Sequence, residues 1–177
     1  MRVAIALACF LLVGGTLPQA ETIQLETRNL LDGKIQMLIP THFGPMSEEL
    51  IRVKYPKEGR PTIVLSNERG TVNIAVNHTS NVMSPKDLDE VHRAFDRMFR
   101  NQYPSATWYR SERTTLNGQE CFILELLTPA VDTEIHNIIV VSSLESRMLI
   151  ISTNLTKELV AEWLPITQKM IESIKRR

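Results

Sequence analysis

The stretches NGQECFILELLT (117–128), EIHNIIVVS (134–142) and RMLIIST (147–153) decide the fold. Each is a short run dense in β-branched and aliphatic residues, bounded by turn-forming residues, and so reads as a strand. Asn117-Gly118 joins the first run to WYRSERTTL (108–116), because a two-residue hairpin turn needs positive φ, which Asn and Gly tolerate. Pro129–Thr133 and Ser143–Ser146 make the other two connections. FILELL and IIVV are apolar at consecutive positions, so both faces of these strands must be covered. Four strands joined by short turns form an antiparallel sheet with packing layers on either side.

The rest of the chain supplies those layers and further hairpins. TIQLETRNLLDGKIQMLIP (22–40) is a hairpin turning at Asp32-Gly33, and PTIVLSN (61–67) pairs with TVNIAVN (71–77) across Asn67–Gly70. Ser47 caps a short helix that ends before Pro56. SPKDLDEVHRAFDRMFRNQYP (84–104) is the clearest helix, with Ser84 as cap and Pro85 in the first position. Leu88, Val91, His92, Phe95, Met98 and Phe99 recur at helical spacing and form one apolar stripe. A last helix is expected over about Thr156–Lys175, kinked or restarted at Pro165. No repeat or long linker interrupts this order. The expectation is one α+β domain over residues 21–177: a largely antiparallel sheet of hairpins covered by helices on both faces.

Residues 1–20 read as a signal peptide. Arg2 is followed by an apolar run, Val3–Val13, of eleven residues, then Gly14-Gly15 and a short polar end, with cleavage expected after Ala20. The run falls short of the roughly 20 apolar residues of a membrane span; a retained anchor is the alternative. Cys9 lies inside the run, which places it in the discarded peptide and not at a lipoprotein junction. Without the leader the chain has 19 Lys and Arg against 20 Asp and Glu, because only Arg2 is lost. Near-neutrality offers no electrostatic case for nucleic acid or an anionic membrane. Cys121 would then be the single remaining cysteine, so no intramolecular disulfide could form.

NLLDGKIQMLIP, PTIVLSNERGTVNIAV, NGQECFILE and RMLIISTN running into a final helix together resemble the PsbP-like superfamily, closest in layout to bacterial periplasmic DcrB-type proteins. The resemblance covers residues 23–175 and implies a sheet sandwiched by helices. It also implies accessory or binding roles rather than catalysis, among them immunity proteins that block cell-wall-degrading toxins. DcrB-type members often carry a lipoprotein cysteine at the leader junction. Ala20-Glu21 stands there in this chain, which favours a soluble periplasmic protein.

The candidate chemistry is thin. Cys121 could act as a nucleophile only beside a base, and His136, oriented by Glu125 or Glu134, is the candidate. A cysteine flanked by Phe122 and Ile123 in a strand is ordinarily a small buried hydrophobe. His42, His78, His92 and His136 lack metal-ligand spacing, so no metal and no cofactor is expected. Arg93, Arg97 and Arg100 form a helical strip interrupted by Asp96, more in keeping with a solvated face. The leading expectation is a secreted periplasmic, non-enzymatic protein, an inhibitor or immunity factor that acts by contact with another protein. Its contact residues would be in two polar loops held by rigid strands: Asn67, Glu68, Arg69 and Gly70, and Pro129, Ala130, Val131, Asp132 and Thr133. A carrier with a small-molecule or lipid pocket between helix and sheet is the alternative, and a Cys121/His136 hydrolase the least favoured.

Overall fold

The computed structural model describes residues 23–56 and 60–177, so the expected leader, Cys9 and the junction after Ala20 lie outside the described residues. In chain order the elements are β1 (Leu25–Leu30), β2 (Ile35–Pro40), β3 (Gly44–Pro45), α1 (Glu48–Lys54), β4 (Ile63–Ser66), β5 (Val72–Val82) and α2 (Leu88–Gln102). They continue as β6 (Thr107–Leu116), β7 (Gln119–Pro129), β8 (Glu134–Leu144), β9 (Arg147–Thr156), α3 (Val160–Glu172) and β10 (Lys175–Arg176).

Seven strands form the main sheet in the order β3-β4-β5-β9-β8-β7-β6, every described pair antiparallel. The turn at Asn117-Gly118 has φ of 48° and 80°, which is what a two-residue hairpin requires. The β8–β9 turn adopts the same geometry at Glu145 and Ser146, with φ of 53° and 59° and no glycine.

The first hairpin departs from expectation. β1 and β2 do not join the main sheet; with β10 they make a separate three-stranded sheet in the order β1-β2-β10. Ile35, Met37 and Ile39 of β2 are buried in one cluster with Ile74, Ile123, Ile138 and Ile151 of the main sheet. The hairpin therefore covers a face rather than extending an edge. Its turn also differs, spanning Leu31, Asp32 and Gly33, all at positive φ.

The last helix is shorter than expected. β9 runs on to Thr156, a 3-10 turn covers Lys157–Leu159, and Lys175-Arg176 leaves the helix to pair with β2. Pro165 does not break α3. At the sixth helical position it leaves the Ala161 carbonyl without the N–H that would otherwise bond it, and the helix continues past it.

Two cores lie on the two faces of the main sheet. Trp163, Met170 and Ile171 of α3, with the small sheet, pack over Cys121, Ile123, Val140 and Leu149. On the other face, Leu88, Val91, Phe95 and Phe99 of α2 cover Phe122, Leu124, Leu126 and Val141, while Leu50 and Ile51 of α1 cover Val64 and Ala75. Phe122 is fully buried, stacked on His92 at 4.8 Å and edge-on to Phe95 at 5.5 Å. Alternation along β7 explains the pattern: Cys121, Ile123 and Glu125 point to α3, Phe122, Leu124 and Leu126 to α2.

Candidate functional site: a cleft at the end of the main sheet

At the end of the main sheet where β7 passes to β8 lies a cleft of about 800 Å³. One wall is the C-terminal end of α1, with Val53, Lys54 and Tyr55; the other is the Pro129–Thr133 loop, and Tyr103 closes the side beyond α2. Val53 is 73% exposed and Val131 fully exposed, so two apolar side chains project from the walls without packing partners.

The floor is a row of amides. Strand register sets Asn73 of β5 opposite Asn154 of β9, and Asn154 opposite Asn137 of β8. The three side chains share the face that carries α1 and α2, because residues paired across a ladder point the same way. Asn154 Nδ2 donates to Asn73 Oδ1 at 2.8 Å, and the Tyr55 hydroxyl donates to the same oxygen at 3.0 Å. Asn137 Nδ2 donates to Thr128 Oγ1 at 3.0 Å and to the Ile135 carbonyl at 2.8 Å. Burial pushes the Tyr55 phenol up to about 12, against the opposing hydrogen bond from Asn154, so it stays a neutral donor. Such a floor is polar and uncharged, and it is fixed by hydrogen bonds between its own members.

Of the two loops expected to make contacts, Pro129–Thr133 lines this cleft over its whole length. The Ala130 N–H donates to the Thr133 carbonyl at 2.9 Å, and Thr133 Oγ1 to Glu158 at 2.9 Å, which hold the loop in shape. Asn67–Gly70 does not line it, although its neighbour Thr71 does. Gly70, at φ 64°, packs against α1 so closely that a Cβ there would lie 3.1 Å from Lys54 and 3.2 Å from Leu50. That glycine serves the seating of α1.

Cys121 and His136 do not meet. Cys121 is paired with Ser142, and His136 with Leu127, six residues further along β7, a separation of about 20 Å at ~3.4 Å per residue. The Cys121 thiol is buried, directed at the Thr114 carbonyl at 3.7 Å, and burial pushes it up to about 11. The hydrolase reading fails on this distance. His136 is instead buried against Glu125, its Nε2 2.9 Å from Glu125 Oε1, and the half-exposed Tyr109 stacks on its ring at 5.1 Å. The hydrogen bond to His136 is the main reason the Glu125 carboxyl is held below its ordinary range, against the effect of burial. Glu134, the other residue expected to orient His136, pairs with Lys157 instead.

Arg100, the last of the three helical arginines, is committed to Asp96 at 2.8 Å and lies over the Trp108 ring at 4.2 Å, while Arg93 and Arg97 are exposed to solvent. Among the described residues no group of three or more His, Cys, Asp or Glu side chains could hold a metal ion, and no helix is long and apolar enough to cross a membrane.

The amide row and the Tyr109–His136–Glu125–Arg110 cluster are absent from the sequence reading. The signal for the row is a polar Asn near the end of three apolar strands, TVNIAV, EIHNIIVV and ISTNL. Their alignment depends on the β5–β9 pairing, which joins strands about 80 residues apart.

The chain matches no protein-family profile, and no curated protein is similar to it in sequence. Solved structures show the fold. PsbP (CyanoP) of the cyanobacterium Synechocystis aligns with a TM-score of 0.63 at 13% identity, over 92% of this chain and 98% of that one. The Ran-binding protein Mog1p of Saccharomyces cerevisiae aligns at 0.54 and 14% identity, over 88% and 96% of the two chains. LpqN of Mycobacterium tuberculosis, involved in cell envelope biogenesis, aligns at 0.52 and 12%, over 86% and 90%. The fold is PsbP-like and α+β.

Proposed function

We propose that this chain is a secreted, non-enzymatic binding protein of the periplasm that acts by contact with another protein, as an inhibitor or immunity factor does. The observation that carries the reading is the cleft, where Val53 and Val131 project on either side of an uncharged amide floor. Exposed apolar anchors beside fixed hydrogen-bonding groups are what a protein interface uses for affinity and register. Asn137 and Asn154, half-buried and held in place by their Nδ2 hydrogen bonds, keep amide oxygens that can meet a partner's backbone N–H groups, and Pro129–Thr133 supplies a loop on a rigid frame. The Asn67–Gly70 turn, one residue from the rim at Thr71, belongs to the outer edge of the same surface. Similarity in fold to a Ran-binding protein supports a binding role in a general way.

A photo-crosslinking residue placed at Val131, with the tagged chain expressed in its native host, tests this. One protein should be captured in stoichiometric yield, and Val53→Asp with Val131→Asp should abolish the capture. The same substitution at exposed Val82, outside the cleft lining, should not. Capture that survives the double substitution, or no captured protein in the envelope fraction, would refute the proposal.

A further inference from the structure

Between α3 and strands β6–β8 lies a second pocket, of about 490 Å³, within the range of ligand sites. A β-bulge creates it. Trp108 is paired with Leu126 and Arg110 with Glu125, so Tyr109 is an extra residue in β6. The bulge sets Tyr109 against His136 and delivers Arg110 to the α3 face beside Glu125.

The Arg110 guanidinium is under-used there. Its Nε is buried and has no hydrogen-bond partner. Its Nη2 stands 3.4 Å from Glu125 Oε2 and its Nη1 3.7 Å from Glu112, both longer than the ~2.7–2.9 Å of a charge-assisted hydrogen bond. Glu125 is held through its other oxygen by His136 at 2.9 Å, which keeps that carboxylate with β8. The α3 side of the pocket carries Gln168 and Glu172. Glu172 is exposed and its carboxylate belongs to no ion pair among the described residues. Ile123, Ile138 and Ile171 close the inner side of the same pocket with the little surface that the core leaves them, 1–3% each.

A cation with an unmet buried donor, a free carboxylate and an aliphatic wall select one ligand class. A simple anion would satisfy Arg110 but face Glu125 and Glu172. A simple cation would leave the Arg110 Nε unmet. We propose that the pocket binds a zwitterionic aliphatic amino acid or dipeptide. Its carboxylate takes the Arg110 fork, its ammonium lies at Glu172, and its side chain rests on the isoleucine wall. This site shares no lining residue with the cleft and does not depend on the protein contact proposed there.

The test is amide shift mapping on the 15N-labelled protein, titrated with L-leucine, leucyl-leucine, N-acetyl-leucine and leucinamide. L-leucine or leucyl-leucine should give saturable shifts in residues 109–116, 123–125 and 168–172. N-acetyl-leucine, which lacks the ammonium, and leucinamide, which lacks the carboxylate, should each bind at least about tenfold more weakly, the effect of one lost charge-assisted contact. Arg110→Gln should abolish binding of the zwitterion. Glu172→Gln, at an exposed site that cannot unfold the chain, should weaken L-leucine about tenfold and leave N-acetyl-leucine unchanged. Absence of saturable binding by both zwitterions would overturn the proposal. So would shifts confined to the cleft, or affinity for L-leucine indifferent to Glu172→Gln.

Discussion

Glu125→Gln separates charge from shape at the buried contact between β7 and β8. Glu125 is 8% exposed and His136 2%, and they meet at 2.9 Å, so solvent screens the bond little. Gln keeps the volume and an accepting oxygen, and removes only the charge. A charge-assisted hydrogen bond is about twice as strong as a neutral one, so the variant should lose about 1–2 kcal/mol at pH 7. For a domain of this size that is a fall in Tm of about 2–6 °C. The loss should also depend on pH. His136, and to a lesser degree Arg110, holds the folded-state Glu125 below its ordinary 4.5. A carboxyl lowered in the folded state contributes stability that is fully present above the unfolded value and disappears as pH falls through the folded one. Urea unfolding of both proteins between pH 7 and pH 3 reports this through Trp108 and Trp163, one on each face of the sheet. The gap should be widest at neutral pH and close below pH 4.5. A gap of equal size at pH 3, or none at pH 7, would refute the reasoning, because packing alone would then account for the contact.

Thr153 is fully buried and its hydroxyl has no partner, so Thr153→Val should raise stability by about 1 kcal/mol in the same urea assay; a loss would mean the hydroxyl is bonded. Ser146→Gly, at φ 59° in the β8–β9 turn, should stabilise by about 0.5–1 kcal/mol, since glycine takes that conformation without a Cβ penalty. The Cys121 thiol should stay unreactive toward an aromatic disulfide at pH 8 and react fully in guanidinium chloride. With its titration pushed up to about 11, only about one part in a thousand would be thiolate, and rapid native labelling would contradict its burial.

Local patterns carry much of this fold. Apolar runs bounded by Asn117-Gly118 and Ser143–Ser146 predict β6 to β9 within three residues at every end, because strand propensity and turn chemistry act over neighbouring residues. The Leu88–Phe99 stripe similarly predicts α2 and the face it covers. Pro165 does not restart α3, which runs unbroken from Val160 and not from the expected Thr156.

By itself, then, the sequence determined the eight longer strands and the three helices, though not the two-residue strands β3 and β10, together with the antiparallel character and the need for covered faces. Those follow from propensity and periodicity. Only the tertiary structure decided that β1 and β2 leave the main sheet to cover its face with β10. That choice is a competition between edge pairing and burial of Ile35, Met37 and Ile39, which no local window contains. The candidate sites belong to the same category. Asn73, Asn137 and Asn154 become a floor only through the β5–β9 and β8–β9 registers, and Arg110 meets Glu125 and Tyr109 meets His136 only because a bulge shifts β6 by one residue. Long-range register is set by the summed packing of both cores, so the chemistry that it aligns is visible only in the folded chain.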